Sequence, residues 1–165
     1  MVSKTYKGGV LVFLAVVFFL PLLAFSTSKT INLIKVEGII NPVAAEFITD
    51  SIRSTEVESA QCLIIQLDTP GGLDTAMRQI VKNILNAEVP IVVYVGPAGA
   101  RAASAGVIIT MAAHVAAMAP GTNIGAAHPV AMGGGKMSRE VSEKVENDAV
   151  AYIQGIATKR NRNVE

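Results

Sequence analysis

Ser104 lies in the string GARAASAG, residues 99–106, where six of eight positions are glycine or alanine. A serine hydroxyl attacks a carbonyl only when a base takes its proton and donors hold the oxyanion that forms. Small neighbours would let a substrate backbone approach the hydroxyl closely. Two backbone donors fit by residue type. One is the Ala105 N–H, which follows the serine at a helix start, where N–H groups are free and the dipole end is positive. The other is Gly72 in Thr69-Pro70-Gly71-Gly72, where no side chain blocks an N–H aimed at a ligand. The same strings also read more simply, as a strand-to-helix turn and as tight helix packing by Ala102, Ala103 and Ala105.

Two residues could serve as the base. His128 sits in a loop after the serine's helix, and an imidazole titrates unaided at about 6.5. Lys144 sits on the last helix, about 60° around from Val141 at 100° per residue, so it borders the apolar stripe and could face a cleft. A lysine base must give up its charge, which takes enough desolvation to bring its pKa from about 10.4 toward 7 or 8. Against this, Glu140 and Asp148 each lie four residues from Lys144, a spacing that also makes an ordinary exposed ion-pair ladder.

Other chemistries find less support. Lys136 in GGGKMS fails the phosphate-loop pattern, because Val130 stands where the first glycine belongs and Met137 where Ser or Thr belongs. His114 and His128 have no cysteine or aspartate partners at ligand spacing, so neither a metal nor any other cofactor is expected. Cys62 is the only cysteine; it can form no internal disulfide and reads as a packed thiol in the buried strand CLIIQL. Acyl-thioester chemistry would need an acidic base, and the loops after the strands offer Asp68 and Asp74. Asp74 reads better as an early-helix acid near a dipole. For Arg101, beside the serine segment, a salt bridge and a substrate contact are both open.

These residues need a scaffold, and the pattern supplies one. INLIKV, a helix over Val43 to Glu56, CLIIQL, a helix over Leu73 to Asn86, and IVVYV alternate as β-α-β-α-β. Continuous apolar strands separated by helices predict an α/β fold with a parallel sheet covered on both faces and ligand sites beyond the carboxyl ends of the strands. The glycine-rich loops after CLIIQLD and IVVYV fall at those ends. A helix is expected from Ala102 through ASAGVIITMAAH, placing Ser104 in its first turn. A short strand follows around Val115 to Met118, then GAAHPVAMGGGKMS as a loop. A final helix from Ser138 carries Val141, Val145, Ala149, Tyr152 and Ile156 as one apolar stripe. RNRNVE, after it, shows no structural role by pattern.

Length and composition set the frame. The chain has 165 residues, 51% hydrophobic, enough for one domain with a real core. Its 14 basic and 13 acidic residues leave no cationic excess for nucleic acid. Lys4 and Lys7 precede the apolar run from Val10 to Phe25, with a small-x-small site at Ala24-Phe25-Ser26. Residues 1–28 are therefore expected to be an export signal, an uncleaved anchor being the alternative.

DTPGG, GARAASAG, MAPGTNIGAAHPV and EKVENDAVAYI, in that order, resemble the membrane-associated serine proteases of the NfeD type, the stomatin operon partners of the Clp protease and crotonase superfamily. The resemblance runs from about Ile31 to the end and implies a serine protease domain over residues 29–165. It implies a Ser104–Lys144 dyad, with Gly71 and Gly72 in the oxyanion loop. Clp proteases use a histidine from a loop after the serine's helix, which keeps His128 as the alternative base. The resemblance further implies a peptide substrate from hydrophobic stretches of stomatin-like membrane proteins, a homodimer, and a membrane-associated position on the extracytoplasmic, periplasmic side. A non-catalytic scaffold that binds a stomatin-like partner is the alternative function. Family members often continue into membrane spans and a small β-barrel, so a short member or a fragment is expected.

Overall fold

The computed structural model describes residues 29–128 and 138–164. In chain order the elements are β1 (Asn32–Glu37), α1 (Pro42–Val57), β2 (Leu63–Asp68), α2 (Asp74–Asn86), β3 (Ile91–Val95), β4 (Arg101–Ala103), α3 (Ala105–Ala112), β5 (Val115–Met118), β6 (Asn123–Gly125) and α4 (Arg139–Lys159). The expected β-α-β-α-β order is present. Strands β1, β2, β3 and β5 form one parallel sheet in that spatial order, with Leu63 paired to both Asn32 and Ile91.

Leu63, Ile65 and Leu67 of β2 and Ile91, Val93 and Val95 of β3 are buried with Ile48 and Ile52 of α1, Ile80 and Ile84 of α2, and Ile109 of α3 in a single core. The intervening strand residues are only half-buried, and β5 is exposed along its length. One sheet face is sealed and the other is partly open, so coverage of both faces is corrected: the apolar runs CLIIQL and IVVYV reflect one buried face plus a half-buried one. Cys62 also differs from expectation. It precedes β2, where the strand begins at Leu63, and it is half-buried and free.

Local chemistry fixes the helix starts. The Asn41 side chain accepts from the Ala44 N–H at 2.9 Å and Pro42 occupies the first turn of α1. Ser138 caps α4 by accepting from the Val141 N–H at 3.3 Å. After α4, Arg160 donates to the carbonyls of Ala112 and Ile84, at 2.7 and 3.0 Å, and Arg162 donates to those of Met111 and Ala113, at 3.1 and 2.9 Å. The RNRN segment thus has a structural role, satisfying carbonyls left open at the ends of α2 and α3. No described helix is long and apolar enough to cross a membrane. The export signal expected over 1–28, and Lys136 with its glycines, lie outside the described residues.

Candidate active site

The nucleophile candidate does not lie inside a helix. Arg101–Ala103 forms β4, paired in parallel with β6, and α3 begins only at Ala105. Ser104 joins the two at φ 51° and ψ −113°. This corrects the helix expected from Ala102, and the reason is tertiary: the Thr69 N–H donates to Arg101 O at 2.7 Å, the Ala103 N–H donates to Thr69 O at 3.0 Å, and the Ser104 N–H donates to Gly125 O at 3.0 Å. Backbone pairing on both sides overrides the helix propensity of alanine. The GPAG loop after β3 accordingly leads into a strand rather than a helix.

Residues with a side chain pay strain at positive φ, and such outliers persist where the surroundings over-determine them. Ser104 makes no side-chain cap to α3, which leaves its Oγ uncommitted to the helix. The small residues around it are explained by contact. Ala102 is fully buried, and a Cβ on Gly106 would stand 2.7 Å from Thr69 Cγ2. A Cβ on Gly71, at φ +111°, would stand 2.7 Å from Ser104 Cβ. Bulk at any of these positions would push the strand, the turn or the serine out of place.

The glycine loop is held as firmly. Buried Thr69 accepts the Gly71 N–H on its Oγ1 at 3.0 Å, and the Ile40 N–H donates to Gly71 O at 2.9 Å. A Cβ on Gly72 would lie 2.0 Å from Ile40 O, so the chain at this point admits only glycine. Among the described residues, no group accepts from the Gly72 or the Ala105 N–H.

A cavity of about 510 Å³ brings Ser104, Ala105, Gly72 and Lys144 together. Its walls include Leu73, Met77, Ile108, Val145, Ala149 and Tyr152. The α4 stripe splits accordingly: Ile156 enters the core and Tyr152 packs against it, whereas Val141 and Val145 are exposed. The Lys144 amine donates to Glu140 Oε1 at 2.9 Å, with its side chain 74% exposed. Asp148, the other carboxylate four residues away, turns to Arg78 instead.

Arg78 was not visible as a site residue by motif; only its i,i+4 spacing from Asp74 hints at a pair. Its Nε donates to Asp74 Oδ2 at 2.8 Å, its Nη2 donates to Asp148, and its guanidinium lies 4.3 Å from the centre of the Tyr152 ring. Burial works against the charge of Arg78, but Asp74 and Asp148 outweigh it and hold the pKa above the ordinary arginine value. Burial pushes the Tyr152 phenol up.

The remaining candidates lie elsewhere. His128 is 87% exposed, outside the cavity lining, with Nε2 at 3.8 Å from Glu146. His114 accepts the Ile91 N–H on Nδ1 at 3.1 Å. Asp68 accepts the Arg101 N–H at 3.0 Å, so the contact at Arg101 is made by its backbone. Among the described residues no cluster of His, Cys, Asp and Glu could hold a metal ion.

Known proteins share this arrangement of elements. The chain is 38% identical over 156 residues to the membrane-bound protease PH1510 of Pyrococcus horikoshii and 29% identical over 161 residues to membrane protein NfeD1b of Bacillus subtilis. These matches cover 93% and 97% of this chain, but it spans only 34% and 35% of those relatives' lengths. Among solved structures, a serine-to-alanine mutant of the membrane-bound stomatin-specific protease 1510-N superposes with a TM-score of 0.76 at 34% identity, covering 84% of this chain and 67% of that one. A lysine-to-alanine mutant of 1510-N bound to a substrate peptide gives 0.75 at 34% identity, covering 84% and 64%. A ClpP1 mutant from Listeria monocytogenes, 21% identical with a TM-score of 0.59 over 81% of this chain and 74% of that one, shares the fold. The α/β architecture is therefore Clp protease-like. The NfeD1b N-terminal domain family matches residues 30–165, and the chain belongs to that family.

Proposed function

We propose that this domain is a membrane-associated serine endopeptidase that works through a Ser104–Lys144 dyad. Lys144, once neutral, takes the Ser104 proton; Oγ attacks the scissile carbonyl, and the Gly72 and Ala105 N–H groups receive the oxyanion. The tetrahedral intermediate collapses, the lysine returns the proton to the leaving amine, and water releases the acyl group by the same steps in reverse order. The single observation that carries this reading is the one cavity lined by Ser104, Lys144, Gly72 and Ala105. Two structures of one similar protease, 1510-N, add weight, one a serine-to-alanine mutant and the other a lysine-to-alanine mutant with a substrate peptide.

The amine is paired with Glu140 and mostly exposed in the free domain, so it must leave that partner and lose water before it can act. A peptide laid across the cleft supplies the water exclusion. The apolar walls Leu73, Met77, Ile108 and Val145 favour a hydrophobic peptide segment, and stomatin-like membrane proteins are the proposed source. An extracytoplasmic, membrane-associated position and a homodimer complete the proposal.

Cleavage of a hydrophobic stomatin-derived peptide tests it. Ser104→Ala should abolish turnover, and Lys144→Ala should lower it at least about 100-fold, with His128→Ala near wild type. Unchanged cleavage in Ser104→Ala rejects the nucleophile; loss in His128→Ala with full activity in Lys144→Ala reassigns the base. The exposed Glu140–Lys144 ion pair favours a second reading, a non-catalytic scaffold that binds a stomatin-like partner. Peptide binding without any cleavage would support it.

A further inference from the structure

A lysine that must become neutral is poorly served by its own helix, because Glu140 and Asp148 lie one turn before and one turn after it. At i±4 both carboxylates come within about 6 Å of the lysine's position and favour the ammonium form. Glu140 does pair with Lys144, at 2.9 Å. Asp148 does not: it is bound by Arg78 of α2, whose Nε also holds Asp74 and whose guanidinium covers the Tyr152 ring. Arg78, Asp148, Asp74, Tyr152 and Lys144 all line the same cavity.

The mechanical setting of α4 gives this contact a second consequence. Ile156 and Ala157 anchor the C-terminal end of the helix in the core, whereas almost every residue from Arg139 to Val150 is exposed. The segment that carries Lys144 thus has little apolar packing of its own. The Arg78 bond to Asp148 crosses from α2 to α4 one turn below the lysine and ties that segment to the body of the domain.

We propose that Arg78 is the positioning residue for Lys144, tethering the exposed half of α4 to α2 and offsetting with its positive charge the carboxylate that would otherwise hold the lysine protonated. The inference rests on the reading of Lys144 as the base. The amine pairs with Glu140 of α4, and the other charged groups that line its cavity are Asp148 from α4 and Asp74 and Arg78 from α2; His128, in the segment after β6, lies beside Glu146. Among the described residues that line this cavity, Arg78 is the only cation besides Lys144.

The test is the pH profile of kcat/KM for peptide cleavage, whose ascending limb reports the free enzyme's base. In Arg78→Met the limb should move up by about 0.5 to 1 in pH, the order of one charge removed from a partly wet cleft, which lowers neutral-pH turnover about 3- to 10-fold. Asp148→Asn should move it down, and the double variant should return it near the wild-type position. Arg78→Lys, which keeps the charge, should keep the limb. A fall in kcat with a stationary limb would show a merely structural role and overturn the proposal, as would no change at all. Should Arg78→Met fail to fold by circular dichroism, Asp148→Asn carries the test alone, a downward shift supporting and a stationary limb overturning. Full activity in Lys144→Ala would instead remove the base reading itself, an outcome separate from any of these.

Discussion

Ser104 and Gly71 are best understood together. The serine is held at φ 51° between two backbone pairings, and Gly71, at φ +111°, occupies the space directly against its Cβ. Gly71→Ala adds a methyl where 2.7 Å is available and forces a side chain into left-handed backbone. A stability loss of about 1–3 kcal/mol is expected, together with at least a tenfold slower reaction of Ser104, since a misplaced nucleophile loses about that much or more. Urea denaturation and the rate of serine acylation check the two parts separately. A variant as stable and as reactive as wild type would show that Gly71 does not set the serine's position. The wealth of small residues in GARAASAG was legible as a sign of close approach. What it is close to was not: Thr69, which Gly106 packs against, lies 37 positions earlier and carries no local signal of that contact.

At the scale of elements, the strands and long helices were legible because burial imposes their periods directly. The turn that builds the site was not. Residues 101–103 are a good helical sequence by propensity, yet they pair with Asn123–Gly125 and with Thr69, and those partners can be named only once the chain has folded. The same holds for the tail, where Arg160 and Arg162 look like solvated charge but bind four carbonyls at the ends of α2 and α3. Arg160→Met removes two part-buried bonds from a charged donor. It should cost about 1–2 kcal/mol, less than two fully buried charged bonds because water can reach the freed carbonyls, and the urea midpoint should fall while the slope stays fixed. An unchanged midpoint would mean that the tail is not part of the cooperative unit.

The whole molecule places a cavity beyond the carboxyl end of β2, where a parallel sheet gathers its ligands, and sets the serine turn, the glycine loop and α4 around it. Sequence order alone indicated that fold, and resemblance indicated the dyad. The long-range pair of Arg78 and Asp148, 70 residues apart, emerges only in three dimensions. The shared wall of Ser104 and Lys144 is the feature on which the enzymatic reading depends. The most direct measurement is labelling of the folded domain with a fluorophosphonate, with the modified residue identified by mass spectrometry and the rate compared in Lys144→Ala. A single adduct on Ser104 that forms at least about 100-fold more slowly without the lysine is expected. No adduct on Ser104, or an equal rate in Lys144→Ala, would contradict a Ser104–Lys144 dyad.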